Sequence, residues 1–145
     1  MSDKILSMLG LMRRANAIEI GETNSGAAVK TGRAKILFLA SDASDNARHR
    51  AEGFVFGHNT ILTELPYTKE EISMNVGVSG CSMAAITDIG FANALMNALS
   101  ASDSEKYSAM AEEVNSRFAK AERRKNEAAA HERNKRNGKR RTNII

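Results

Sequence analysis

The chain has 145 residues, 42% of them hydrophobic and 5% aromatic, with seven methionines, one cysteine and a net charge of +4. That size suits one domain plus an appendage. A single cysteine excludes an internal disulfide framework, and no apolar run is long enough to span a membrane. Residues 1–116 hold ten Lys/Arg and fourteen Asp/Glu, whereas residues 117–145 hold eleven and three. The basic character therefore sits in the last segment, as in chains that touch nucleic acid through an appended arm.

Ser2 is a candidate cap for a helix over residues 3–15, whose Ile5, Leu6, Leu9 and Met12 share one face. The charged residues around this pattern, Asp3, Lys4, Arg13 and Arg14, do not make a secretory signal, so a cytoplasmic setting is expected. Residues 17–20 predict a short strand with Ile18 and Ile20 inward, and Gly21 turns the chain into a helix over about 23–31 that Gly32 ends. Residues 35–40 form a continuous apolar strand of the kind covered on both faces. Asp42 or Ser44 caps a helix over 45–56, a strand spans 60–64, and Pro66 ends it. Thr68 and Glu71 make a capping box for a short helix to about Asn75. A loop over 77–82 leads to a strand over 83–87. Asp88 then caps a helix to about Leu99, with Phe91, Leu95 and Leu99 on its inner stripe.

Ser102 with Glu105 predicts a second capping box, and Tyr107, Met110, Ala111, Val114, Phe118 and Ala121 recur at helical spacing behind it. Beyond Ala121 the stripe gives way to a basic helix that is expected to fray near Gly138. Alternating helices and strands imply a layered α/β/α domain over residues 1–101. Residues 102–145 form a helical extension, basic from about residue 117. All four strands lie before residue 101, so that domain is expected to fold without the extension.

Two stretches carry a family likeness. One runs from Gly32 through Arg33-Ala34-Lys35-Ile36-Leu37-Phe38-Leu39-Ala40 to Ser44; the other runs from Gly77-Val78-Ser79 to Asp88-Ile89-Gly90-Phe91-Ala92. Together they resemble the kink-turn RNA-binding ribosomal proteins named after the archaeal large-subunit protein L-seven-Ae, and most closely the small bacterial YlxQ-like branch. The likeness spans about residues 4–99. It implies a three-layer sandwich around a mixed four-stranded sheet, and a protein that binds structured RNA, that of the ribosome first, and catalyses nothing. The ribosome and translation-associated proteins are the further partners it implies.

The same likeness locates an RNA face. Gly21-Glu22-Thr23-Asn24-Ser25 stands where the family carries Gly-Thr-Asn-Glu, which reads sheared G·A pairs. Gly21 matches, but Thr23 and Asn24 fall where Asn and Glu stand, and Ala27 replaces the family's lysine. Backbone N–H groups at a helix start can hold a phosphate or a base edge, although such a turn is also an ordinary helix cap. The loop containing Val78, Ser79 and Gly80 matches one that lies beside the same RNA, where small and apolar residues stack under a base; Gly80-Cys81 replaces the family's Arg-Pro. A flexible surface loop is the plain alternative. Arg33 and Lys35 follow the turn-bearing helix and are candidates for phosphate contact, or else part of a solvated face. Arg123, Arg124, Lys125, Arg140 and Arg141 lie in the tail without aromatics between them, which favours phosphate over base stacking; a solubilising tail is the alternative.

Signals for chemistry are thin. Cys81 is remote in sequence from His49, His58 and His131, and no spacing suits a metal. Asp42, Asp45 and Asp88 are better read as turn or cap residues than as paired carboxylates. No phosphate-binding glycine fingerprint or P-loop lysine is present. No cofactor, metal or small-molecule substrate is expected. Two rival readings remain: a protein-interaction module on the same fold, favoured by the acidic balance of residues 1–116, and a nucleotide-dependent enzyme.

Overall fold

The computed structural model describes residues 3–144, with side chains described as far as Lys135. The elements are α1 (Lys4–Arg14), β1 (Ile18–Ile20), α2 (Glu22–Lys30), β2 (Ile36–Leu39), α3 (Asp45–Val55), β3 (Ile61–Glu64), α4 (Lys69–Val76), β4 (Met83–Ile86), α5 (Ile89–Ser102) and α6 (Ser104–Ile144). The strands form one sheet in the order β1-β4-β2-β3. β4 is antiparallel to both β1 and β2, and β2 is parallel to β3, so the sheet is mixed.

Alternation along the strands builds two cores. From β2, Ile36 and Phe38 face a cluster with Leu9, Ile72, Leu95 and Tyr107, drawn from α1, α4, α5 and α6. Leu37 and Leu39 face the opposite cluster, with Val29 of α2 and Ala47 and Ala51 of α3. The result is helices on both sides of a sheet whose central strands β2 and β4 are wholly buried.

Helix starts follow capping chemistry with a few shifts. Asp3 caps α1 through the Ile5 N–H (2.8 Å), and the proposed cap Ser2 lies outside the described residues. Ser44, not Asp42, caps α3; Asp42 instead accepts from the Lys69 N–H (2.8 Å) at the start of α4. The Thr68–Glu71 box forms as expected. α5 continues past Leu99 to Ser102, so the second box does not form. Asp103 breaks the two helices with extended backbone and accepts from the Lys106 N–H (3.2 Å). The inner stripe of α5 is Ala92, Leu95, Met96 and Leu99, with Phe91 only partly buried.

α6 packs along α5 and buries Tyr107, Ala111 and Val114 in the larger core cluster. It also runs beside the edge strand β3 in the opposite direction. The Tyr107 hydroxyl donates to the Glu64 carbonyl (2.6 Å) at one end of β3, and the Arg117 guanidinium donates to the Asn59 carbonyl just before the other. Ten helical residues advance about 15 Å, matching about 16 Å for the corresponding stretch of strand. The helix is unbroken at Gly138.

Candidate nucleic-acid interface

The turn at Gly21 and the loop after α4 meet at one end of the sheet. The Gly21 N–H donates to the Met83 carbonyl (3.0 Å), and the Ala40 N–H donates to the Ser82 carbonyl (2.9 Å). Gly80 lies three residues before Met83, at most ~11 Å of extended chain away. Gly21 has φ +93°, and a Cβ there would meet nothing within 4 Å. Glycine is needed for its backbone conformation, not for space.

α2 differs from the other helices at its start. Asp3, Ser44, Thr68, Asp88 and Asp103 each cap a following helix with a side-chain oxygen. The N-cap of α2 is Gly21, which supplies none. The first intrahelical bond is Ser25 N–H to the Gly21 carbonyl (2.9 Å), so the N–H groups of Glu22, Thr23 and Asn24 precede the helical ladder. Thr23 and Asn24 are exposed. The Asn24 amide donates to the Ile20 carbonyl (3.0 Å), which orients its own carbonyl oxygen. Ser25 is fully buried and faces the Glu19 carbonyl, so it supports the turn from beneath. Glu22 is held by Arg50 of α3 (2.7 Å). A carboxylate in the first turn disfavours phosphate there and leaves the donors better suited to base edges.

The loop is built on two left-handed glycines, Gly77 and Gly80. Ser73 ties it to α4 by accepting from the Cys81 N–H (2.8 Å). Burial pushes the Cys81 thiol up to about 11, so it is an inert core group. Between loop and helix lies an open cavity of about 450 Å³ lined by Lys69, Glu70, Met74, Val78, Ser79 and Gly80. Met74 is 79% exposed, an apolar platform at the mouth.

Arg33 and Lys35 follow the far end of α2, whose nine residues carry the chain about 13 Å from Gly21. The Arg33 guanidinium reaches back to Glu19 (3.4 Å), two residues before Gly21, and bonds Thr31 (3.1 Å). Lys35 sits at the opposite sheet end, its N–H donating to the Ile86 carbonyl (2.7 Å). Arg123, Arg124 and Lys125 follow Arg117 along α6, so they too lie toward that far end; the side chains of Arg140 and Arg141 lie outside the described residues.

No family model matches the chain. It is 30% identical over 96 residues to the RNA-binding protein YlxQ of Bacillus subtilis, covering 63% of this chain and 91% of that one. The YlxQ protein of Enterococcus faecium is 30% identical over 89 residues, covering 61% and 84%. The chain belongs to the YlxQ-like branch of the L-seven-Ae ribosomal protein family. A solved structure from Bacillus halodurans C, of a protein with unknown function, shares the fold with a TM-score of 0.62 at 23% identity, covering 67% of this chain and 97% of that one.

Within that family frame, two contributors at the turn end carried no signal in the sequence. Arg50 reaches the turn from a different helix, and Met74 looks in sequence like a core residue of α4. Among the described residues, no group of His, Cys, Asp or Glu is placed to hold a metal ion, and no helix is long and apolar enough to cross a membrane.

Proposed function

We propose that this chain is a non-catalytic RNA-binding protein that reads a kinked or otherwise unpaired element of a structured RNA, that of the ribosome first. The uncapped start of α2 is the observation that carries the reading: three backbone donors and the Thr23 and Asn24 side chains lie at the sheet end where the Val78–Gly80 loop lies. The donors suit the edges of sheared or unpaired bases, and Met74 with Val78 offers an apolar platform for an extruded one. Both curated relatives are named as RNA-binding proteins, which supports the same partner class.

The test is a competition assay between a kinked-stem RNA and a plain duplex of equal length. The wild-type protein is expected to prefer the kinked stem, and Asn24→Ala to lose most of that preference while staying folded. A wild-type protein without preference would overturn kink recognition. Preference that survives Asn24→Ala would move the reading surface away from the turn. The acidic balance of residues 1–116 favours a protein partner as the second reading, and absence of binding to either RNA would select it.

A further inference from the structure

The opposite end of the sheet carries a second concavity. It has a volume of about 740 Å³ and is walled on one side by α6 and on the other by the segments entering β2 and β3. Lys35 contributes from the entry to β2, and Arg117, Lys120 and Arg124 from α6. Positions 117, 120, 121 and 124 recur at helical spacing, so one face of α6 delivers all three cations to the groove. Glu113 is the acid in the lining, and it already pairs with Arg117 (2.9 Å). His58 is in the lining, and Phe56, two residues before it, is 86% exposed. Arg117 is anchored to the Asn59 carbonyl, and the Lys35 backbone is held through its N–H to the Ile86 carbonyl.

We infer that this groove is a second RNA-binding site, which grips the phosphate backbone of a helical segment other than the one read at the turn. It rests on the proposed RNA partner for its ligand class but not on the Gly21 turn, which lies across the sheet. Cations that contact phosphate give affinity without sequence preference. With one reading face and one gripping groove at opposite ends, the protein would hold two RNA segments at once.

The probe is a fluorescent plain RNA duplex, titrated at several salt concentrations against the full chain. Replacing Lys35, Lys120 and Arg124 together by Gln is expected to weaken duplex binding at least tenfold and to lower the slope of log affinity against log salt by about 2–3, at ~0.9 per phosphate contact. Replacing Arg123, Lys125 and Arg133 by Gln removes the same charge from α6 outside the groove lining, and is expected to have a much smaller effect. Glu113→Gln is expected to tighten binding several-fold, a gain that loss of structure cannot mimic. Equal weakening by both triple variants would overturn the groove in favour of diffuse attraction, and so would an unchanged affinity in the groove variant. Gly21→Val separates the two sites: it is expected to abolish kink preference and leave duplex binding intact. Failure of the groove variants alone overturns this site only, whereas a wild-type chain that binds neither RNA overturns both proposals.

Discussion

The two ends of the sheet use different chemistry. At one end Gly21, Thr23, Asn24 and the Val78–Gly80 loop present backbone donors, short polar side chains and an apolar platform; Glu22 and Arg50 hold each other beside the turn, and Lys69 and Glu70 line the cavity by the loop. At the other, Lys35, Arg117, Lys120 and Arg124 gather positive charge around a groove. Base edges are distinguished by oriented donors and acceptors, while phosphates are held by charge whatever the sequence. The contrast teaches that net charge is a poor guide to the discriminating face: the tail dominates the +4 total, yet it projects from the end away from the turn.

α6 joins the two ends, so the largest test is to cut it. Removing everything after residue 101 takes Tyr107, Ala111 and Val114 out of the core. At about 1.5–3 kcal/mol for each large buried side chain, and with the facing side of α5 exposed as well, the loss should reach about 5 kcal/mol, comparable to the whole stability of a small domain. Thermal melts followed by circular dichroism should show a broad, early transition. Cutting after Ala121 should leave the melt and the kinked-stem preference nearly intact while weakening duplex binding. A sharp, unshifted melt of the shorter chain would instead establish residues 1–101 as a self-sufficient domain.

A smaller break is confined to the turn end. Gly21→Val forces a β-branched residue into positive φ, which should cost about 1–3 kcal/mol and remove kinked-stem preference by distorting the turn; a Cβ there meets nothing within 4 Å, so the cost is backbone strain and not a clash. Unchanged stability by denaturant titration would show that the turn relaxes freely. Smaller still is Tyr107→Phe, which removes the hydroxyl bonded to the Glu64 carbonyl and should cost about 1 kcal/mol. It loosens α6 at the turn end only, so duplex binding at the far end should persist.

The smallest effect is a pH dependence. A hydrogen bond from Tyr67 holds the Asp3 carboxyl below its ordinary value, and one from Arg48 does the same for Glu64. Both groups bind protons more weakly folded than unfolded. Their stabilisation is therefore present above the ordinary carboxylate pKa of about 4 and is lost as pH falls through the lower folded values. Melting temperature should drop in that acidic window, and Glu64→Gln should reduce part of the drop.

The sheet was legible because its signals are local. The apolar run Ile36–Leu39 could only be a strand covered on both faces, and Thr68 with Glu71 marked the start of α4 within four residues. The second capping box was misread because Ser102, Asp103 and Ser104 are adjacent cap formers, and only the length of α5 decides among them. Sequence adjacency does not report that a helix separates the backbone of Arg33 and Lys35 from Gly21. Arg50 against Glu22, and Lys35 across from Arg117, are pairings made by the tertiary fold alone. The mixed direction of the sheet came from the family likeness, because periodicity does not report strand direction.

The position of β4 between β1 and β2 has a consequence for how the chain comes into being. As a polypeptide grows from its N-terminus, β1 is made early and has no neighbour to pair with; β2 can join only β3. Residues 83–86 complete the sheet from its middle, and α5 and the first turns of α6 must follow to cover it. A nascent chain of this topology therefore has no closed core until β4, α5 and the start of α6 have emerged.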